Sequence, residues 1–133
     1  RKTLLYEADM HWAKAGDTGY PLLSCGDYSF TVGICMDLND EAFIDWVRKS
    51  GVRLVAFPTN WIEEGTPVWP YWAWRMRETS ACLVAANGFG EDGDITICGQ
   101  SVILDGRSVL AHAPRAGVSL LSATIEPYGQ STG

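Results

Sequence analysis

The stretch FTVGICMDLND, residues 30–40, decides the fold of this chain, because an apolar β-type run ends there in a cysteine and acidic, helix-opening residues. Two interpretations of Cys35 fit the local sequence. It is either a buried core thiol or a nucleophile held at the carboxyl end of a strand. A strand end before a helix offers backbone N–H groups that can receive an oxyanion, and open α/β sheets bind ligands at this edge. The stretch alone leaves both interpretations open.

The residues after Cys35 predict a helix that Gly51 ends. Three residues can cap its amino end: Asp37, Asn39 and Asp40. Its inner face carries Phe43, Ile44 and Val47. One strand precedes this helix (YSFTVGIC, 28–35) and another follows it (VRLVAFP, 52–58). A strand–helix–strand unit of this kind indicates neighbouring strands in an α/β sheet.

The remaining elements are a first strand, a second helix and several later strands. YPLLSC (20–25) predicts the first strand, and YWAWRMRETSA (71–81) predicts the second helix. Four further strands are predicted at CLVAAN (82–87), ITICGQSVIL (95–104), SVLAHAP (108–114) and VSLLSATIEP (118–127). DGR between the second and third of these is typical of a hairpin turn. We expect one sheet with helices packed on one of its faces. The other face of this sheet needs cover.

Composition narrows the class of protein. The chain has 133 residues, 47% of them apolar, and a net charge of −6, which argues against nucleic acid or an anionic membrane as partner. No apolar run has the length of a membrane helix. No CxxC pair occurs among the four cysteines, so no metal site is expected. Three of them lie in an apolar, strand-like context, which favours reduced thiols in a cytoplasmic protein, although the sequence leaves a disulfide open.

Four segments together resemble the carbon–nitrogen hydrolase family, also called the nitrilase superfamily. They are RK (1–2) with AGD (15–17), GICMDLNDEAF (33–43), GVRLVAFPTNW (51–61) and the long segment from Trp74 to Leu110. The resemblance implies a four-layer αββα sandwich, of which residues 1–133 form a single partial domain without its N-terminal part. It also implies a homodimer or a higher homo-oligomer, and no cofactor.

The resemblance implies that Cys35 is the nucleophile that attacks a small amide, carbamoyl or nitrile substrate and forms a thioester or thioimidate. Lys2 would stabilise the oxyanion together with the backbone N–H of Met36. A supporting acid precedes the AGD turn in this family. Two residues compete for that role, Asp9 by its distance from Gly16 and Glu7 by its residue type.

Further positions have supporting roles in this interpretation. Asn60 and Trp61 follow a strand end and are expected to line the substrate pocket. Asp37 is expected to fix the loop after Cys35 through backbone N–H groups. Arg75 and Glu78, three residues apart on the second helix, are expected to form an ion pair.

One departure from the family pattern bears on activity. The general-base glutamate of the family lies upstream of the lysine and is absent from this sequence. We therefore expect the isolated chain to be inactive and the hydrolase activity to belong to a longer parent chain. The alternative is a catalytically inactive relative that serves as an interaction or regulatory domain.

Overall fold

The computed structural model of the protein describes residues 6–126. Within this range the chain forms eight β-strands, two α-helices and two short 3-10 helices. The strands are β1 Leu23–Cys25, β2 Tyr28–Val32, β3 Leu54–Thr59, β4 Cys82–Asn87, β5 Phe89–Asp92, β6 Ile95–Cys98, β7 Val102–Asp105 and β8 Ser108–His112. The α-helices are α1 Glu41–Ser50 and α2 Trp69–Arg75, and the 3-10 helices are Glu7–His11 and Cys35–Asn39. No helix in this range is long and apolar enough to cross a bilayer.

Most of these strands form one mixed sheet in the order β1-β2-β3-β4-β7-β8. Its central strands β2, β3 and β4 are parallel, and the outer pairs are antiparallel. Parallel neighbours need a crossover connection, and α1 and α2 supply the two that this order requires. The expected α/β class is therefore confirmed. Strands β5 and β6 form a separate antiparallel pair.

Helix α1 is delimited by its own sequence. The Asp40 side chain accepts a hydrogen bond from the N–H of Ala42 at 3.0 Å, which makes Asp40 the N-cap among the three candidates. Gly51 ends the helix at a φ of 67°, in the left-handed region that glycine enters without steric penalty. The predicted inner face is buried: Phe43, Ile44 and Val47.

The hydrophobic core lies between the two helices and one face of the sheet. Phe43 and Trp72 from the helices belong to one buried cluster with alternate strand residues. These strand residues are Val55, Phe57, Leu83, Ala85, Val102 and Leu104. Alternation follows from the two-residue repeat of a strand, which points successive side chains to opposite faces. On β3 the residues of the opposite parity, Leu54, Ala56 and Pro58, are less buried. Residues 6–126 thus form one helix layer and one sheet layer of the expected sandwich.

The second helix is shorter than predicted and begins earlier. It spans Trp69–Arg75 rather than residues 71–81, with Pro70 in its first turn, where a missing N–H costs no hydrogen bond. After the helix, Thr79 forms hydrogen bonds to the backbone three residues before it. Its N–H and its hydroxyl both donate to the carbonyl oxygen of Met76, at 2.9 Å each. A threonine side chain that bonds to nearby backbone competes with helix continuation.

Two strand predictions are wrong. Residues 95–104 form two strands, because Gly99 and Gln100 both have positive φ, 60° and 57°, and turn the chain between β6 and β7. Residues 118–126 form no strand, and Val118 is 97% exposed. An apolar alternation becomes a strand only where a neighbouring strand completes its hydrogen bonds. Here Arg53 holds the segment instead, with two donors 3.2 and 3.1 Å from the carbonyl oxygen of Glu126.

Candidate active site

Cys35 lies where strand β2 passes into a 3-10 helix. After β2 ends at Val32, the N–H of Gly33 still donates to the carbonyl oxygen of Ala56 on β3, at 3.1 Å. Two residues later Cys35 takes a φ of 49° and begins the helix. A side chain with a Cβ is disfavoured there by about 1–2 kcal/mol. Backbone strain of this kind is concentrated at functional sites in proteins.

Gly33 allows helix α1 to pack against this turn. A Cβ at position 33 would lie 2.6 Å from Cζ of Phe43, whose ring is fully buried. The glycine two residues before the cysteine is therefore required by packing. It sets how closely the turn that carries Cys35 approaches the helix.

Asp37 closes the turn around Cys35. Its Oδ2 accepts the N–H of Ile34 at 3.0 Å, and its own N–H donates to the carbonyl oxygen of Ile34 at 3.0 Å. The residue is only 2% exposed. A carboxylate that accepts a backbone N–H makes a charge-assisted hydrogen bond, which is stronger than a neutral one. The expected role of Asp37 in fixing this loop agrees with these contacts.

Met36 occupies the first turn of the same 3-10 helix. Backbone N–H groups at the amino end of a helix have no acceptor within the helix itself. The thioether sulfur of Met36 accepts a hydrogen bond from Nδ2 of Asn39 at 3.3 Å, which links its side chain to the other end of the helix. The backbone N–H of Met36 lies at the amino end of this helix, directly after Cys35.

Arg75 holds the far end of the Cys35 turn. Its Nε donates to the carbonyl oxygen of Leu38 at 2.8 Å, and its Nη1 lies 2.7 Å from Oε1 of Glu41. The expected pairing of Arg75 with Glu78 is wrong, because the guanidinium points from α2 toward the start of α1. Arg75 is 6% exposed, so the contact to Leu38 is shielded from water.

A cleft of about 640 Å³ opens at the carboxyl ends of the parallel strands. Its walls are formed by Tyr6, Asp9, Trp12, Ile34, Cys35, Pro58, Thr59, Asn60, Ala86, Asn87 and Gly88. These residues come from the 3-10 helix near the amino end, from the last residues of β3 and β4, and from the segments that follow β2, β3 and β4. Carboxyl ends of parallel strands meet at one edge of a sheet, which is where open α/β sheets bind ligands.

The structure brings three of the predicted site residues together: Cys35, Asp9 and Asn60 all line this cleft. Of the two candidate supporting acids, one lies in the cleft and the other does not. Asp9 is half-buried in the cleft wall, whereas Glu7 is exposed and outside the lining. Oδ2 of Asp9 also accepts the N–H of Tyr6 at 2.9 Å. Lys2 lies outside the described residues.

Trp61 is directed away from the Cys35 cleft. Its ring makes edge contacts with Phe57 and Trp72, at centroid distances of 6.2 and 5.8 Å, and a tilted contact with Tyr71 at 6.0 Å. It lines a second cavity of about 320 Å³ with Asn39 and Cys98. Asn60 and Trp61 therefore line different cavities, although they are adjacent in sequence.

Thr59 and Asn87 are cleft residues that sequence analysis missed. They end β3 and β4 and are paired in the parallel register. Both are buried, Thr59 at 9% and Asn87 at 8% exposure. A signal was present in the sequence, because Asn87 ends the predicted strand 82–87 and Thr59 directly follows the predicted strand 52–58. Both residues lie in segments that resemble the family, but the resemblance was not used to assign them a role in the site.

The four cysteines, all within the described residues, are free thiols. Cys25 is exposed and Cys35 is half-buried, whereas Cys82 and Cys98 are buried. Burial and the nearby Asp105 carboxylate raise the pKa of Cys82 to about 11, and burial raises the pKa of Cys98. Both core thiols therefore stay protonated at neutral pH, which makes them poor nucleophiles.

No protein-family model and no curated protein matches this sequence. Solved structures do match. A cysteine-to-alanine mutant of the Nesterenkonia AN1 amidase from the nitrilase superfamily superposes with a TM-score of 0.75 at 23% identity, over 87% of this chain and 45% of that one. A similar mutant in complex with butyramide gives 0.75 at 24% identity, over 86% and 45%.

A third structure is a glutamate-to-glutamine mutant of the amidase from Nesterenkonia sp. AN1, which shows Michael addition of acrylamide at the active-site cysteine. It superposes with a TM-score of 0.75 at 24% identity, over 86% of this chain and 46% of that one. The resemblance inferred from the motifs is thereby confirmed at the level of the fold. The chain has the α/β fold of the nitrilase-superfamily amidases and spans less than half of their length.

Proposed function

We propose that this chain is the nucleophile-bearing part of a carbon–nitrogen hydrolase that cleaves a small amide through a thioester on Cys35. The observation that carries the proposal is the position of Cys35. It is held at a φ of 49° in the wall of a cleft at the carboxyl ends of parallel strands. A core thiol has no need of such a conformation, whereas a presented nucleophile does.

The proposed reaction has two stages. The thiolate of Cys35 attacks the amide carbon and forms a C–S bond, and the C–N bond then breaks as the nitrogen takes up a proton and leaves. Water then attacks the thioester, which releases the carboxylic acid and restores the thiol. The N–H of Met36 and the ammonium of Lys2 would stabilise the oxyanion in both stages. A carbamoyl group would react in the same way. A nitrile, whose carbon is linear, would first form a thioimidate on Cys35, which water would convert to the thioester with loss of ammonia.

Two residues complete the proposed site. Asp9 is favoured over Glu7 as the supporting acid, because Asp9 lines the cleft. Asn60 would bind the substrate from the opposite wall, since its carboxamide can donate and accept hydrogen bonds. Trp61 would act indirectly, through its packing behind the loop that carries Asn60.

The proposal assigns turnover to a longer parent chain. Within residues 6–126 the cleft is lined by one carboxylate, that of Asp9. A thiol nucleophile and a deacylating water each need proton transfer to a base, and we propose that a glutamate outside this sequence supplies it. The isolated chain would then form an adduct at Cys35 without turnover. Four free thiols favour a reducing compartment, so we propose the cytoplasm, with the parent protein as a homo-oligomer.

A second function follows if the chain works without that base. The described cleft has one carboxylate, that of Asp9, and no second one that could act as the base. This favours an inactive relative that acts as an interaction or regulatory domain. In that case Cys35 would keep its conformation through descent from a hydrolase, without chemistry. The two functions differ in how Cys35 reacts with an amide electrophile.

The test is residue-resolved alkylation at neutral pH, followed by peptide mass spectrometry. We expect iodoacetamide to label Cys35 at least about tenfold faster than Cys25, because a bound carboxamide places the electrophile beside the sulfur. Ammonia release from butyramide is then measured for the 133-residue chain, the parent protein and its Cys35→Ser variant. Release by the parent alone, lost in the variant, supports the proposal. Equal labelling of Cys35 and Cys25, with a parent indifferent to Cys35→Ser, overturns it in favour of the interaction domain.

A further inference from the structure

We propose that Asn87 and Gly88 are positioning residues, which hold the Asn60 carboxamide in the cleft so that it selects a carboxamide-bearing reactant for Cys35. This inference rests on the proposed function and deepens it, because it assigns the selection of the substrate's amide group to one side chain. It concerns the loop after β3, where Asn60 and Trp61 leave the sheet.

Asn87 ties the loop to two other segments. Its Oδ1 accepts the N–H of Trp61 at 2.8 Å, the residue directly after Asn60. Its Nδ2 donates to the carbonyl oxygen of Gly99 at 2.7 Å and contacts the sulfur of Cys98 at 3.0 Å. Because the Asn87 amide is buried, these bonds are strong and their loss is costly. The loop after β3 is therefore fixed by the end of β4.

Gly88 sets the direction of the Asn60 side chain. Its N–H donates to the carbonyl oxygen of Thr59 at 3.0 Å, and its carbonyl oxygen accepts the N–H of Gly99 at 2.9 Å. A Cβ at position 88 would lie 2.2 Å from Oδ1 of Asn60. The Asn60 carboxamide is thus seated directly on the Gly88 backbone. Any larger residue at position 88 must displace it.

The chemistry of Asn60 matches an amide partner. A primary carboxamide has a carbonyl acceptor and two N–H donors, so it can pair with another carboxamide through two complementary hydrogen bonds. Asn60 shares the cleft with Cys35. An amide bound to Asn60 would therefore lie in the cleft that Cys35 also lines. An electrophile without a carboxamide cannot make this contact. The selectivity of Cys35 for reagents that carry a carboxamide can therefore be measured.

The experiment compares two small neutral thiol reagents on the 133-residue chain. Iodoacetamide carries a carboxamide and methyl methanethiosulfonate does not. The carboxamide preference is the ratio of their second-order rate constants at Cys35, divided by the same ratio at the exposed Cys25 as internal reference. We expect the preference to be about tenfold lower in Asn60→Ala than in the wild type, because the variant loses one to two hydrogen bonds to the carboxamide of the reagent. The rate with methyl methanethiosulfonate is expected to stay the same.

The positioning role is tested through coupling. Asn87→Ala is expected to lower the preference as far as Asn60→Ala does, and the double variant is expected to show no further loss. Gly88→Ala keeps the hydrogen bonds of Asn87 and displaces Asn60, so it carries the test even where Asn87→Ala fails to fold. The matched control is Ser101→Ala, whose hydroxyl bonds the main chain of Asn87 but not its side chain. It is expected to keep the preference.

The outcomes separate the two claims. A wild-type chain with no carboxamide preference overturns this inference, whereas the proposed function stands as long as iodoacetamide labels Cys35 faster than Cys25. A wild-type preference that persists in Gly88→Ala and Asn87→Ala leaves the proposed function standing and overturns the positioning role. Additive losses in the double variant also overturn it, because they show that Asn87 acts independently of Asn60.

Discussion

The Nε of Arg75 lies 2.8 Å from the carbonyl oxygen of Leu38, three residues beyond Cys35. This contact joins helix α2 to the turn that presents the cysteine, across 37 residues of sequence. The same guanidinium pairs with Glu41, whose side chain is 84% exposed, whereas that of Arg75 is 7% exposed. The two contacts therefore differ in energy, since water screens one and not the other.

We predict that Arg75→Met lowers the free energy of unfolding by about 2–3 kcal/mol, because it leaves the buried Leu38 carbonyl without a donor. Glu41→Gln is expected to lower it by less than about 1 kcal/mol, as for exposed ion pairs. Urea unfolding of both variants measures the difference. An equal loss in the two variants would show that the ion pair, and not the carbonyl contact, holds the turn.

The left-handed conformation of Cys35 predicts an unusual effect of glycine. Cys35→Gly is expected to be more stable than Cys35→Ala by about 0.5–1 kcal/mol, since relief of the Cβ clash exceeds the entropy cost of glycine. Ile34 is the matched control, because its φ of −118° is in the extended region. There the glycine variant is expected to be the less stable of the pair. Thermal unfolding of the four variants checks both orders.

Two buried threonine hydroxyls have no hydrogen-bond partner within the described part of the chain, those of Thr31 and Thr59. Thr31→Val and Thr59→Val are each expected to raise the free energy of unfolding, by up to about 1 kcal/mol, because an unpaired buried hydroxyl is removed without a change of shape. Thr79→Val is the contrast. Its hydroxyl donates to Met76 at 2.9 Å, so stability is expected to fall. Loss of stability in Thr59→Val would show that its hydroxyl has a partner.

The contact between Tyr20 and Asp40 predicts sensitivity to high pH. The Tyr20 hydroxyl donates to Oδ2 of Asp40 at 3.2 Å, and burial together with the Asp40 carboxylate raises the pKa of Tyr20 from 10.0 to about 12. The folded state then holds a proton that the unfolded state releases first. This contribution to stability is complete below pH 10 and is lost as the pH rises from about 10 to about 12.

The measurement is the free energy of unfolding across that interval, for wild type and Tyr20→Phe. The wild type is expected to lose stability more steeply than the variant. Cys82, whose pKa is raised to about 11, titrates in both proteins, so the difference isolates Tyr20. Parallel curves would show that Tyr20 titrates alike in the folded and unfolded states.

Local signals in the sequence predicted the part of the fold that surrounds Cys35. Asp40 and Gly51 act within their own helix ends, and the buried face of α1 repeats at helical spacing, so neither depends on distant residues. The placement of Cys35 between a strand and a helix followed from the same local pattern. The α/β class then came from the strand–helix–strand order.

The errors arose where distant contacts decide the structure. Gln100 adopts a positive φ, which is uncommon for glutamine and is not predicted from the sequence. This conformation divides one predicted strand into two. Arg75 has a possible partner at helical spacing in Glu78, yet packing directs it to Glu41. Asn87 gained its role from bonds to Trp61 and Gly99, which the fold brings together. None of these pairings is visible in a single sequence.

The walls of the cleft come from the 3-10 helix near the amino end, from the last residues of β3 and β4, and from the connections that follow β2, β3 and β4. The residue pairs that hold these strands in register lie within the strands themselves. Evolution can therefore change the length or composition of one connection without disturbing the pairing of the sheet. New substrate ranges would arise in the connections after β3 and β4, while the turn after β2 continues to present the same sulfur atom.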